Sequence, residues 1–170
     1  MSVHIYRWAD GEKHREQIIG AVRAARSNHP TSGLDVATGW SGPKNLFESR
    51  NSGIVALHNF IQATLPARST GWELAGWGNV MVSGDHVKPH DHVKVGDDGR
   101  ANVWAGVYYV QVPRRSPPLA MQLFSRASLA EVSRETMLIV FPADLVHSVP
   151  AAIFDGERVS IAFNAKPAAL

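Results

Sequence analysis

Apolar residues recur at helical spacing near the start of the chain. The run DGEKHREQIIGAVRAAR places Ile18, Ile19, Val22 and Ala25 on one face of a helix. Asp10 precedes this face, and aspartate is favoured as the N-cap residue because its carboxylate accepts hydrogen bonds from the first free N–H groups. We therefore predict an amphipathic helix that begins just after Asp10.

A second helix is predicted beyond the polar, glycine-rich connector SNHPTSGLDVATGWSGPKN. The positions at three- and four-residue spacing on its face are Ile54, Leu57, His58, Ile61 and Leu65. Pro66 ends the helix because proline lacks an N–H group and clashes with the preceding turn. Residues 1–70 are therefore expected to be mainly helical.

The pattern changes after Thr70, where short runs rich in β-branched and aromatic residues alternate with turn residues. The predicted strands are WELAGWGNVMV, HVKPHDHV, NVWAGVYYVQV, LAMQLF, TMLIVFP, LVHSVP and ERVSIAFN. They are separated by turns such as VGDDGR, PRRSPP and FDGE. Successive strands without long intervening helices predict an antiparallel sandwich or barrel, with the N-terminal helices packed on one side.

Length and composition indicate an ordinary globular protein. With 170 residues, 45% of them hydrophobic and 19% charged, residues 1–170 are expected to form a single domain with a full-sized core. No apolar run approaches the roughly 20 residues of a membrane-spanning helix. The start of the chain has no basic stretch followed by an apolar centre, so we expect a cytoplasmic protein without a secretory signal.

Charge and cysteine content exclude several classes of site. The formal net charge is only +2 and the basic residues are scattered, so nucleic-acid binding is not expected. The chain has no cysteine, which excludes disulfides, thiolate metal ligands and a cysteine nucleophile. A metal would have to be held by histidine, aspartate or glutamate.

The stretch SGDHVKPHDHVK is the first candidate for metal chemistry. On an extended strand His90 and His92 point to one face and Asp91 to the other, so the two imidazoles could reach one ion. A His-x-His pattern alone fits two surface histidines equally well. His86 has the same alternation and could line a pocket, although we do not expect it to be a ligand.

Two further elements strengthen the metal interpretation. The apolar run MLIVFPADLVHSVP carries His147, which would complete a three-ligand site with open positions, or would be a core histidine bound to a carbonyl. In GERVSIAF, Arg158 and Ser160 alternate on one strand face. A guanidinium inside a sandwich needs an anion, either a bound carboxylate or an acid of the chain itself.

Taken together, these blocks resemble a known family. WGNVMVSGDHVKPHDH, AGVYYVQVP, MLIVFPADLVHSVP and GERVSIAFN are similar, in the same order, to the Fe(II)/2-oxoglutarate-dependent oxygenases of bacteria and phages. The resemblance covers about the last hundred residues well and is fainter over GWSGPKNLFESRNSGIVALHNFIQ. It implies a double-stranded β-helix, a cupin-like jelly-roll sandwich, formed by residues 71–170 and carrying the metal site, with the mainly helical part packed on it.

The resemblance also implies roles for individual residues. His90 and His147 match the first and the distal iron ligands. Arg158 with Ser160 matches the Arg-x-Ser pair that binds the distal carboxylate of 2-oxoglutarate. Asn79 occupies a position that hydrogen-bonds the same co-substrate.

Two positions depart from the family pattern. Met81 stands where a tyrosine is usual, and Tyr108 or Tyr109 are candidates to supply its contact. His92 stands where most of the superfamily has a carboxylate ligand, and the acid of this stretch, Asp91, comes one residue earlier. The expected ligands are therefore His90, His92 and His147, with Asp91 as an alternative ligand or a hydrogen-bond partner of a ligating histidine.

Three functions follow from these residues. The leading one is an oxygenase that uses Fe(II) and 2-oxoglutarate to hydroxylate a small-molecule or peptide substrate, with KVGDDGRAN as a lid. The second is a cupin-like three-histidine metalloprotein, a dioxygenase or isomerase that does not use 2-oxoglutarate. The third is a non-catalytic binding sandwich. A homodimer is compatible with the sequence.

Overall fold

Two antiparallel β-sheets face each other in the protein, and helices cover the outer side of the larger sheet. The computed structural model describes residues 2–33, 35–95, 99–121 and 126–169. Among these residues, no helix has the length and apolar character needed to cross a membrane.

The strands, numbered in chain order, are β1 His4–Arg7, β2 Trp40–Ser41, β3 Trp72–Met81, β4 Val87–His90, β5 Trp104–Gln111, β6 Ala120–Met121, β7 Met137–Pro142, β8 His147–Val149 and β9 Arg158–Pro167. The α-helices are α1 Gly11–Asn28, α2 Ser52–Thr64 and α3 Arg126–Val132, and a short 3₁₀ helix spans Leu46–Glu48.

The large sheet has the strand order β1-β7-β5-β9-β3-β2, and the small sheet has the order β4-β8-β6. All of these strand pairs are antiparallel. This arrangement confirms the predicted fold class, a mainly β jelly-roll sandwich with N-terminal helices. Most neighbouring strands are distant in sequence, so the fold depends on long-range pairing.

One apolar layer lies between the large sheet and the helices. Ile18 and Val22 of α1, together with Ile54 and Leu57 of α2, are buried there against the sheet. The predicted helical faces are therefore correct. Burial of these faces is the main stabilisation of the helices, because isolated helices of this length are marginal in water.

The ends of the two helices differ from a simple capping pattern. Helix α1 begins after Asp10 as predicted, yet the Asp10 side chain makes no capping hydrogen bond. Helix α2 is capped instead by Asn51, whose side-chain oxygen accepts hydrogen bonds from the N–H groups of Gly53 and Ile54. The chain leaves the helical conformation at Leu65, just before Pro66.

Three short elements were not predicted from the sequence. Strand β1 pairs with β7 at one edge of the large sheet, and β2 pairs with β3 at the other. Helix α3 falls in a stretch with no clear helical pattern. Of the predicted strand LAMQLF, only Ala120 and Met121 are described as strand, and residues 122–124 lie outside the described residues.

A second apolar layer fills the space between the two sheets. It includes Tyr109, Leu119, Phe141 and Leu145, which are almost fully buried. Side chains alternate along β9 between the two layers, because successive residues of a strand point to opposite faces. Val159, Ile161 and Phe163 therefore face the helices, and the residues between them face the small sheet.

We predict that replacing Ile54 by alanine lowers the free energy of unfolding by about 2–5 kcal/mol, because it removes a fully buried side chain and leaves a cavity. The matched control is Val55→Ala, one residue away on the exposed side of α2, for which we expect a change within about 0.5 kcal/mol. Urea unfolding measures both. Equal effects of the two substitutions would contradict the packing described for α2.

Candidate metal centre

Three histidines from two strands and a following loop meet between the sheets. His90 ends β4 and lies directly opposite His147, the first residue of β8. His92 lies two residues beyond the end of β4, where its N–H donates a hydrogen bond to the carbonyl of Ala143. The three side chains offer ring nitrogens that all lie within 4.8 Å of one another.

Backbone carbonyls orient two of these rings in the same way. The Nδ1–H of His90 donates to the carbonyl of Lys88 at 2.8 Å. The Nδ1–H of His147 donates to the carbonyl of Leu145 at 2.9 Å, again two residues earlier. Each bond places the proton on Nδ1 and leaves the lone pair of Nε2 free, which is how proteins prepare histidine to bind a metal.

The spacing of the nitrogens suits a shared ion. The Nε2 atoms of His92 and His147 are 3.2 Å apart. With metal–nitrogen bonds of roughly 2.1 Å, this separation corresponds to an angle of roughly 100° at the ion, between the octahedral and tetrahedral values. The donor set therefore fits a transition-metal ion bound on one side, with its remaining positions open.

The protein environment keeps two of the three imidazoles neutral. Burial, assisted by the neighbouring His147 and His90 and by Lys44 and Lys94, lowers the pKa of His92 to about 3. Burial also lowers the pKa of His147 to about 4, although its hydrogen bond to the Leu145 carbonyl opposes this shift. Both rings are thus in the unprotonated form that metal binding requires at neutral pH.

Asp91 does not join the three histidines. Its side chain is exposed, and its Oδ1 accepts a hydrogen bond from the N–H of Val93, two residues on. Strand alternation, which continues past the end of β4, accounts for this direction because it places His90 and His92 on the inner side. Of the described histidine and acidic residues, only His90, His92 and His147 form this cluster.

The histidines line a cavity of about 570 Å³, including its open mouth, between the two sheets. Its walls are mostly apolar. The polar groups that share these walls with the histidines are Asn79, Arg158, Ser160 and Ser41. Every site residue predicted from the sequence therefore lines the same cavity. His86 does not line it.

Arg158 is a buried charged residue in the wall of this cavity. Its exposed fraction is 2%, and its Nε has no hydrogen-bond partner. Its Nη1 contacts the sulfur of Met81 at 3.5 Å, and its guanidinium lies 5.2 Å from the ring centre of Tyr109. Within the described parts of the chain, no carboxylate lies at ion-pair distance from Arg158.

A buried guanidinium without an anion is unfavourable, since it has lost its hydration. The sulfur of Met81 and the face of Tyr109 compensate only weakly. The arrangement leaves the guanidinium able to pair with an external anion, and its flat fork suits a carboxylate. The alternative of an internal acid partner finds no support among the described residues.

Strand pairing places two more polar groups beside Arg158. Asn79 of β3 lies opposite Ser160 of β9, and Met81 lies opposite Arg158. The Oδ1 of Asn79 accepts a hydrogen bond of 2.6 Å from the hydroxyl of Ser41 on β2. Because Ser41 occupies the oxygen end of this amide, the N–H₂ end of Asn79 remains as the donor.

Sequence reasoning missed Ser41, since a serine in a glycine-rich connector carries no pattern. It also left open whether Tyr108 or Tyr109 supplies the contact of the tyrosine that Met81 replaces. Tyr109 lies on the cavity side, where its hydroxyl donates a hydrogen bond to the hydroxyl oxygen of Ser133, whereas Tyr108 packs against Trp8 on the helix side. The predicted lid KVGDDGRAN lies partly outside the described residues. In its described part, Val95 and Ala101 form an isolated antiparallel β-bridge.

We predict that the metal-free protein loses stability in mild acid. The lowered pKa values mean that the folded chain binds fewer protons than the unfolded chain, whose histidines titrate near 6.5. The stabilisation is complete above about pH 6.5 and is lost as the pH falls towards 4, by up to about 1.4 kcal/mol per pH unit and group.

Urea unfolding between pH 7 and pH 4 tests this expectation. His147→Gln should weaken the pH dependence, because it removes one of the two groups. His29→Gln, which alters an exposed histidine, should leave the dependence unchanged. An identical pH dependence in the wild type and in His147→Gln would contradict the neutral, buried state of this ring.

The fold recurs in solved structures of oxygenases. A prolyl-4-hydroxylase from Pseudomonas putida is similar over 98% of this chain and 93% of its own, with 15% identity and a TM-score of 0.66. HygX from Streptomyces hygroscopicus, with nickel and 2-oxoglutarate bound, is similar over 97% and 82%, with 14% identity and a TM-score of 0.63.

A third similar structure is a prolyl hydroxylase from Trichoplax adhaerens, in complex with a peptide fragment of the oxygen degradation domain of hypoxia inducible factor. It covers 97% of this chain and 83% of its own, with 13% identity and a TM-score of 0.66. No protein-family profile matches the sequence, and no curated protein matches it. The chain thus shares the double-stranded β-helix of these oxygenases, at identities that establish the fold alone.

Proposed function

We propose that this protein is a non-haem oxygenase that uses Fe(II) and 2-oxoglutarate to hydroxylate a small-molecule or peptide substrate. The observation that carries the proposal is the presence, in one cavity, of three clustered histidines and a buried guanidinium that no described acid pairs with. The similar folds of HygX, which binds nickel and 2-oxoglutarate, and of the prolyl hydroxylases support it.

In this proposal His90, His92 and His147 hold the iron. When bound, iron and co-substrate supply the oxidation: one oxygen atom of O₂ enters a substrate C–H bond, and the other enters succinate as 2-oxoglutarate loses carbon dioxide. The protein residues orient the ligands and exclude water. Three neutral nitrogen ligands leave the centre one charge more positive than a set with two histidines and one carboxylate.

Arg158, Ser160 and Asn79 form the co-substrate end of the cavity. The guanidinium of Arg158 would pair with the distal carboxylate of 2-oxoglutarate, and the hydroxyl of Ser160 and the amide N–H₂ of Asn79 would donate to the same co-substrate. Ser41 acts as a positioning residue, because its hydrogen bond selects the orientation of the Asn79 amide.

The substrate class is proposed from a similar structure. The prolyl hydroxylase from Trichoplax adhaerens is complexed with a peptide, which supports a peptide as one substrate class.

We predict that Arg158→Gln weakens 2-oxoglutarate binding roughly tenfold to hundredfold and leaves Fe(II) binding intact, because it removes a buried charged hydrogen-bond donor. His147→Gln should instead weaken the binding of Fe(II) itself. Anaerobic titration, followed by the weak visible charge-transfer band of the Fe(II)–2-oxoglutarate complex, measures both effects. Oxygen-dependent succinate formation then reports turnover.

The matched control is Arg23→Gln, which removes an exposed arginine of α1 and should change neither affinity. Failure of Fe(II)-loaded wild type to bind 2-oxoglutarate would overturn the proposal. Metal-dependent oxidation that survives Arg158→Gln would favour the three-histidine metalloprotein that works without 2-oxoglutarate. A protein that binds neither Fe(II) nor Mn(II) would favour a non-catalytic binding sandwich.

We also predict that Ser41→Ala weakens 2-oxoglutarate binding about threefold to tenfold, since the Asn79 amide would lose its fixed orientation. Fe(II) affinity should not change, because Ser41 touches none of the histidines in the described contacts. A double-mutant cycle separates this role from a general loss of stability. In an Asn79→Ala background the Ser41→Ala substitution should have no further effect, and an undiminished effect there would contradict the positioning role.

A further inference from the structure

A second hollow adjoins the metal cavity, and two lysines mark it. This hollow of about 560 Å³, which we call the lysine hollow, is open to solvent and includes Lys44, Lys94 and Asn164 in its walls. The Nζ of Lys44 lies 5.0 Å from the ring centre of Trp77. Trp77 also lines the metal cavity, where its ring lies 5.9 Å from that of His92.

The inner face of β9 orders these sites along one line. From Arg158 the residues of this face are Ser160, Ala162, Asn164 and Lys166. Ala162 pairs with Trp77 and so lies at the level of the metal site. Arg158 and Asn164 are separated by roughly 20 Å of strand. The lysine hollow therefore lies on the opposite side of the histidines from the proposed carboxylate position at Arg158.

Two of the cations in the lysine hollow, Lys44 and Lys94, stand apart from its ion pairs. Glu73 forms ion pairs with Arg100 and Lys166, at 2.9 and 3.1 Å. Lys44 and Lys94 have no ion pair among the residues that the structure describes. Lys44 and Lys94 come from distant segments of the chain, yet both line this one hollow.

Two cations that line one hollow attract an anion, because its negative charge reduces their mutual repulsion. A second feature of the lysine hollow also indicates a ligand. Asn164 is 5% exposed, and its Oδ1 has no hydrogen-bond partner. A buried acceptor of this kind is unfavourable unless a donor reaches it, and a ligand with an O–H or N–H group would provide one.

We infer that the lysine hollow binds an anionic group of the substrate, a carboxylate or a phosphate, and so directs a C–H bond of an anionic substrate to the metal. The inference rests on the proposed function, since it assigns the substrate class of that same site. Lys44 and Lys94 would pair with the anionic group, and the Oδ1 of Asn164 would accept a hydrogen bond from a neighbouring polar group of the substrate. Arg158 is left to the co-substrate at the other end.

The experiment uses two probes, methyl phosphate and acetate, which distinguish a phosphate from a carboxylate. The zinc-loaded, ¹⁵N-labelled protein is titrated with each probe, with and without saturating 2-oxoglutarate, and the indole N–H resonance of Trp77 is followed. We expect at least one probe to shift this resonance saturably. The dissociation constant should be the same with and without 2-oxoglutarate, because the two anions occupy opposite ends.

Lys44→Gln and Lys94→Gln should each weaken binding of that probe about tenfold, while Lys44→Arg should retain it. Lys13→Gln, at an exposed lysine of α1, is the matched control and should bind like the wild type. The three lysines are exposed, so the variants are expected to fold.

The inference is overturned if neither probe binds saturably, or if both lysine-to-glutamine variants bind as the wild type does. Competition between the probe and 2-oxoglutarate would also overturn it, since the anion would then occupy the Arg158 end. If 2-oxoglutarate fails to bind while lysine-dependent binding of the probe persists, the proposed function fails and the anion site remains.

Discussion

The ten-residue antiparallel ladder between β3 and β9 is the constraint on which the rest of the structure depends. Its register sets Asn79 opposite Ser160 and Met81 opposite Arg158. A shift by one residue would turn every inward side chain of one strand to the helix side. Because Val159, Ile161 and Phe163 fill the layer under the helices, such a shift would expose polar groups to an apolar core. Packing of the helices thus fixes the register that keeps the polar side chains in the cavity.

Positive charge accumulates along that polar face without a described acid at its centre. Arg158 is buried at one end, the three histidines occupy the middle, and Lys44 and Lys94 lie at the other end. Such an arrangement is tolerable in a protein that works with anions, because ligands supply the missing charge. Under the proposed function, a dianionic co-substrate and an anionic substrate would approach the metal from opposite sides. The histidine in place of a carboxylate would increase this preference for anions.

Much of this architecture could be predicted from local pattern. The spacing of Ile18 and Val22, and of Ile54 and Leu57, predicted the two long helices, because only an amphipathic helix buries such residues together. Strand alternation likewise predicted that Arg158 and Val159 lie on opposite faces of their strand, and that His92 and Asp91 do the same. The short strands β1 and β2 escaped prediction because two to four residues carry no periodic signal, and their partners β7 and β3 are far away in sequence.

The sequence by itself determined the residue types, the helical and strand periods, and therefore which side chains share a face. It also determined that any metal would be held without cysteine. Only the tertiary structure decided which faces meet. The pairing of His90 with His147, the hydrogen bond from Ser41 to Asn79 and the approach of Lys44 to Lys94 each join residues distant in sequence. Local periodicity contains no information on such contacts, because they arise when separate elements pack to bury a common core.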